Sequence, residues 1–127
     1  MADRGTFYWN ELATTDIDAA KEFYARFTGW AFDEMPMENG GTYHIAKAGE
    51  AFAGGIMAIP EAAPPGTPPH WMSYIAVDDV DAVLVSVKEG GGNVLVEPFD
   101  AEDAGRIAIV QDPQGAAVAL ITPVAQD

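Results

Sequence analysis

The sequence contains no cysteine, which excludes a disulfide scaffold and any thiolate metal site. Basic residues are nearly as scarce. Six Lys and Arg stand against twenty Asp and Glu, for a formal charge of −14. Six cations cannot neutralise a run of phosphates, so nucleic acid is excluded as a partner, and an anionic membrane surface is disfavoured for the same reason. A neutral or cationic small molecule is the easier partner. No apolar run approaches the roughly 20 residues that span a bilayer, and the opening Met-Ala-Asp-Arg does not read as a signal peptide. With cysteine absent, the expected location is cytoplasmic. There is no Ser-x-Gly elbow, phosphate loop or H-E-x-x-H pattern, and His44 and His70 are the only histidines.

What is present is a repeat. The stretch His70–Ala82, H-W-M-S-Y-I-A-V-D-D-V-D-A, reads as a strand, an acidic corner and the first turn of a helix. The same grammar occurs at Tyr8–Ala19, Y-W-N-E-L-A-T-T-D-I-D-A. Asp16 matches Asp79, Asp18 matches Asp81, Ala19 matches Ala82 and Gly29 matches Gly92, all at an offset of 63. The 127 residues, 49% of them hydrophobic, suit one domain with a real core. That domain is read as module 1 over 6–59, a linker at 60–69 holding five prolines, and module 2 over 70–123.

Taken in order, Phe7–Ala13 alternates as a strand, with Phe7, Trp9, Glu11 and Ala13 on one face. Thr15 or Asp16 caps a helix from Ile17 to about Thr28, and Gly29 ends it. Strands follow at Trp30–Met35, Thr42–Ala48 and Ala51–Ile59, the first two joined by a turn of Pro36 and Asn39-Gly40-Gly41. The second copy gives strand Trp71–Val77, helix Val80–Glu89 and strand Asn93–Glu97. A loop at Pro98–Ala104 leads to strands Arg106–Gln111 and Ala116–Thr122. Each half is β-α-β-β-β. The fold class is α+β: two βαβββ modules whose curved mixed sheet makes a half-barrel around a central cavity, a shape suited to ligands.

This doubled arrangement, with D-I-D-A-A-K-E-F-Y after the first strand and D-P-Q-G before the last, resembles the vicinal oxygen chelate superfamily of glyoxalases, bleomycin-resistance proteins and dioxygenases. W-N-E-L, G-G-N-V-L-V-E-P and D-P-Q-G-A are most similar to its bacterial glyoxalase-like subgroup, often labelled hydroxylase or 27-kDa-antigen-like. The resemblance implies metal ligands seven residues before each corner Asp, which falls on Trp9 and Met72, and a Glu in each last strand, which falls on Ala119 and, through the repeat, near Ile56. None of the four side chains offers a hard oxygen or an imidazole nitrogen, so no metal and no other cofactor is expected. The resemblance also implies pairing into a homodimer through an apolar helix or sheet-edge face.

Glu11 lies two residues after Trp9, and Tyr74 two after Met72, so they hold equivalent places in the two modules. A carboxylate turned toward an apolar cavity is a candidate general base or cation anchor; a satisfied structural carboxylate is the plainer alternative. Trp9, Trp71, Tyr43, Tyr74 and Phe52 are flat walls for a planar ligand, or simply filling. Arg106, matched to Tyr43 by the repeat, either reaches a ligand carboxylate or pairs with an acid. The candidate ligand-binding set is therefore Trp9, Glu11, Tyr43, Ile56, Trp71, Met72, Tyr74, Arg106 and Ala119. The expected function is metal-free binding of a small aromatic or cationic molecule. The alternatives are a lyase, isomerase or oxygenase with Glu11 as base or a displaced metal site, and an interaction module without a ligand.

Overall fold

The structure, a computed structural model, describes residues 3–37, 40–60, 63–101 and 104–124. Asn39 of the expected turn, 61–62 of the expected linker and 102–103 of the expected loop lie outside them. The elements run β1 (Phe7–Thr14), α1 (Ile17–Thr28), β2 (Ala31–Pro36), β3 (Thr42–Ala48), β4 (Ala51–Ala58), β5 (His70–Ala76), α2 (Val80–Glu89), β6 (Asn93–Ala101), β7 (Gly105–Gln111) and β8 (Ala117–Pro123). The α+β class and the doubled βαβββ order are as the repeat implies. By contact the chain forms two compact units, one of Asn10–Trp71 and one of Met1–Trp9 with Met72–Asp127.

The matched aspartates have one job each, and it is the same job. Asp16 takes the amide of Ala19 on Oδ1 at 3.0 Å, and Asp79 takes that of Ala82 at 3.2 Å. Both have extended backbones and satisfy an N–H that the first helical turn leaves bare. The exits differ. Gly29 closes α1 in the left-handed region with φ 73°, whereas after α2 the positive φ belongs to Gly91, not to the matched Gly92. Gly92 is small for another reason: a Cβ there would sit 2.7 Å from the carbonyl oxygen of Gln111.

In the unit Asn10–Trp71 the strand order is β2-β3-β4-β1, with β1 parallel to β4 and the other pairs antiparallel. In the other unit it is β5-β8-β7-β6, with β5 parallel to β8. There, α2 sets Val80 and Leu84 against Ala108, Val110 and Leu120, so helix and sheet share an apolar layer. Gly5 and Thr6, ahead of β1, hydrogen-bond to Ala76 of β5 within that unit.

One element departs from expectation. The loop expected from Pro98 is instead the second half of β6. Val94 pairs with Val110, Val96 with Ile109 and Phe99 with Ile107, so β6 carries an extra residue at each of two steps. Those bulges let Pro98, which has no amide to donate, sit inside a strand at the end of the order.

Candidate functional site

Strand pairing fixes which side chains share a face, because directly paired residues point the same way and neighbours along a strand alternate. In the unit Asn10–Trp71, Leu12, Ile56 and His44 form one row across β1, β4 and β3. His44 reaches Lys21 of α1, so this is the face that the helix covers. The next row, Glu11, Gly55 and Ile45, lies on the opposite face. In the other unit the corresponding row is Tyr74, Ala119 and Ile109.

These ladders sharpen one position, which the repeat gave only as near Ile56. The counterpart of Ala119 is Gly55, because Glu11 pairs with Gly55 as Tyr74 pairs with Ala119. The offset between modules is 63 in the first strand and 64 in the last, so Ile56 turns inward under α1, where it is 0% exposed. A single residue of slip exchanges the faces.

Gly55 has a neighbour that explains its lack of a side chain. A Cβ on it would overlap the hydroxyl end of the Tyr43 phenol. Tyr43 therefore lies across the place where a last-strand ligand would start, on the face that carries Glu11. Glu11 is 9% exposed, low for a carboxylate, and both it and Tyr43 have interaction partners. The structure thus brings together Glu11, Tyr43 and Gly55 of the first module. Met72, Tyr74 and Ala119 lie on one face of β5 and β8 in the other unit, Ala119 fully buried and Met72 and Tyr74 partly so. Trp9, half-buried, ends that unit's share of β1.

Two candidates stand on the helix-covered faces instead. Trp71 alternates with Met72, and its ring packs edge-on against Tyr24 of α1 and against Trp30, with its indole N–H donated to the Tyr24 hydroxyl at 3.1 Å. Arg106 pairs with Thr122, whose hydroxyl accepts the Val80 amide at the start of α2. Its guanidinium forks onto Asp81 through Nε and Nη2 and reaches Asp100 through Nη1 at 3.1 Å. That fork holds the Asp81 carboxyl below its usual range and raises the guanidinium further. Of the two uses open to Arg106, the structure realises the acid pair.

Sequence reading missed the polar group beneath α1. Lys21 Nζ lies 3.2 Å from His44 Nδ1 and 3.8 Å from Glu34, above the Phe32 ring. Burial lowers the His44 pKa, and the Lys21 charge lowers it further. The neutral imidazole can then accept the ammonium proton on Nδ1. Lys21 and His44 are 23 residues apart, and only the helical phase of Lys21 hinted that it faces the sheet.

No group of three or more His, Asp or Glu among the described residues is arranged to hold a metal ion. The positions the resemblance singles out carry Trp9, Gly55, Met72 and Ala119, and a donor at 55 would collide with Tyr43. The donor chemistry of these positions does not fit a divalent ion.

Residues 7–120 match the glyoxalase/bleomycin resistance protein/dioxygenase superfamily. The chain belongs to that superfamily. A curated relative, the "Putative glyoxylase CFP32" of Mycobacterium tuberculosis (strain CDC 1551 / Oshkosh), is 50% identical over 119 residues, covering 92% of this chain and 45% of the relative. The anthracycline biosynthesis protein DnrV of Streptomyces peucetius is 32% identical over 123 residues, covering 88% and 45%. The chain thus spans about half the length of the curated relatives it matches. Among solved structures, methylmalonyl-CoA epimerase from Mycobacterium tuberculosis superposes with a TM-score of 0.66 at 20% identity, covering 98% of this chain and 93% of that one. A hypothetical protein from Bacillus halodurans C-125 superposes at 0.72 with 17% identity, covering 98% and 99%. At those identities the likeness is one of fold. No helix among the described residues is long and apolar enough to cross a membrane.

Proposed function

We propose that this chain is a glyoxalase-fold binding protein that takes a small aromatic or cationic molecule without the superfamily's usual metal. The observation that carries the reading is the row of Glu11 and Gly55 with Tyr43 across it. A buried carboxylate stands on one strand from which a metal ligand is expected, and a phenol from β3 fills the space in front of the other. A carboxylate in such surroundings anchors a cation, and the phenol offers a flat face. Support comes from DnrV, a relative named for the biosynthesis of anthracyclines, which are planar polycyclic aromatics. The protein is taken to work in the cytoplasm as a single domain and as a homodimer.

The test is calorimetric titration with a panel of cationic aromatic compounds against wild type and Glu11→Gln. A charge-assisted hydrogen bond in a partly dry site is worth roughly 1.5–3 kcal/mol, so the variant should bind roughly tenfold to a hundredfold more weakly. Its melting temperature should stay put, because the amide is isosteric and still offers an acceptor oxygen and an N–H donor. Equal affinities would remove Glu11 from the site. A fallen melting temperature with intact binding would make Glu11 structural.

A further inference from the structure

Helix α1 has an inner and an outer face, and the outer one is unusual. Ile17, Ala20, Lys21, Tyr24 and Ala25 are partly buried, whereas no residue of the helix is fully so. Phe23 and Phe27 are 58% and 65% exposed, packed edge-to-face against each other with centroids 5.2 Å apart. With Ala19, Glu22 and Arg26 they line an open hollow of about 450 Å³. A chain with only six cations uses most of them on its own acids: Arg4, Lys21, Lys47 and Arg106 each form ion pairs. Arg26 and Lys88 do not, and neither does Glu22, one turn before Arg26, among the described residues.

We infer that this outer face of α1 is the interface of the homodimer proposed above, occupied by α1 of a second copy running antiparallel. The charges select that occupant. A two-fold axis passing at the level of residue 24 sets Glu22 of each copy opposite Arg26 of the other, so both unpaired charges are satisfied at once. The same axis places Phe27 midway between the levels of Ala19 and Phe23 of the second copy. It places Phe23 midway between the levels of Phe23 and Phe27. The ridge Ala19, Phe23, Phe27 has a spacing of four and drops into its own groove, a common way for helices to pack. Ala19 leaves the room that the opposing Phe27 ring needs. A partner of uniform charge would satisfy only one of Glu22 and Arg26. A second copy satisfies both.

The proposal rests on the homodimer reading, and the experiment separates the two. Sedimentation velocity at tens of micromolar is run on wild type, Glu22→Arg, Arg26→Glu and an equimolar mixture of the two variants. Each variant alone faces like charges at both contacts and should dissociate at least about tenfold more readily than wild type. In the mixture, two arginines meet two glutamates, so the heterodimer should recover wild-type affinity. Both positions are exposed, and unchanged circular dichroism checks the fold. Dimers unaffected by either reversal, or a mixture that stays monomeric, overturn the α1 interface while leaving a homodimer built elsewhere. A monomeric wild type overturns both and leaves the hollow to an unrelated chain.

Discussion

The phenol of Tyr43 lies across Gly55, one strand away, in the space a side chain at 55 would need. The two positions are therefore coupled by volume. Gly55→Ala should force the ring aside at a cost of about 1–3 kcal/mol, as overpacking does. Tyr43→Ala should relieve most of that cost when the two are combined. A double-mutant cycle by urea unfolding measures the coupling. Additive effects would mean that the ring moves freely.

His44 makes stability sensitive to mild acid. Its folded pKa is lowered below the ordinary 6.5, by burial first and then by Lys21, with Glu34 and Asp18 opposing. The unfolded chain then takes up the proton at a higher pH than the folded one. The stability of the neutral form is fully present above about pH 6.5 and falls as pH drops toward the folded value. The melting temperature of wild type should decline more steeply between about pH 7 and about pH 5 than that of His44→Gln. In Lys21→Met the folded pKa rises toward the ordinary value, so the decline attributable to His44 should be smaller and end at higher pH. Parallel curves for wild type and His44→Gln would refute the assignment.

The two aspartate caps should be worth similar amounts. Replacing Asp16 or Asp79 by Ala strands one amide at a helix start and should cost about 0.5–2 kcal/mol each. Thr122→Val tests the separate capping contact on Val80, which ties α2 to β8 at 3.0 Å. That loss should add to the Asp79 loss less than fully, since both act on the first turn. Chemical denaturation of the single and double variants measures it.

Metal content is a further test. Protein purified without chelator and dialysed should carry far less than one Zn, Ni, Fe or Mn per chain, because Trp9, Gly55, Met72 and Ala119 supply no oxygen or nitrogen donor at the positions the superfamily uses. Elemental analysis showing about one retained ion per chain would place a site outside these positions.

The sequence pattern that proved most readable was the one set by local rules. Both helices begin and end where the caps and periodicity place them, and the βαβββ order follows from the matched aspartates. What escaped was long-range. Nothing local distinguishes Gly55 from Ile56, because an offset of 63 becomes 64 only after an extra residue enters between the matched helices and the last strands, where β6 bulges twice. Arg106 and Tyr43 are matched by the repeat, yet they sit on opposite kinds of face for that reason. Pro98 read as a stop because a proline ends an ordinary strand, and only a bulged strand at the end of the order admits it. Lys21 and His44 meet across a helix–sheet packing that neither one's neighbours announce.

The interrupted ladder of β6 also bears on what this chain does when crowded. A regular terminal strand offers evenly spaced amides and carbonyls to any other chain, and Leu95, Val96 and Phe99 are exposed along this one. Two bulges spoil that spacing and Pro98 withholds a donor in the middle of it, so an incoming strand finds no continuous register. Strand addition is therefore disfavoured at β6, and polymer growth should not proceed through that edge.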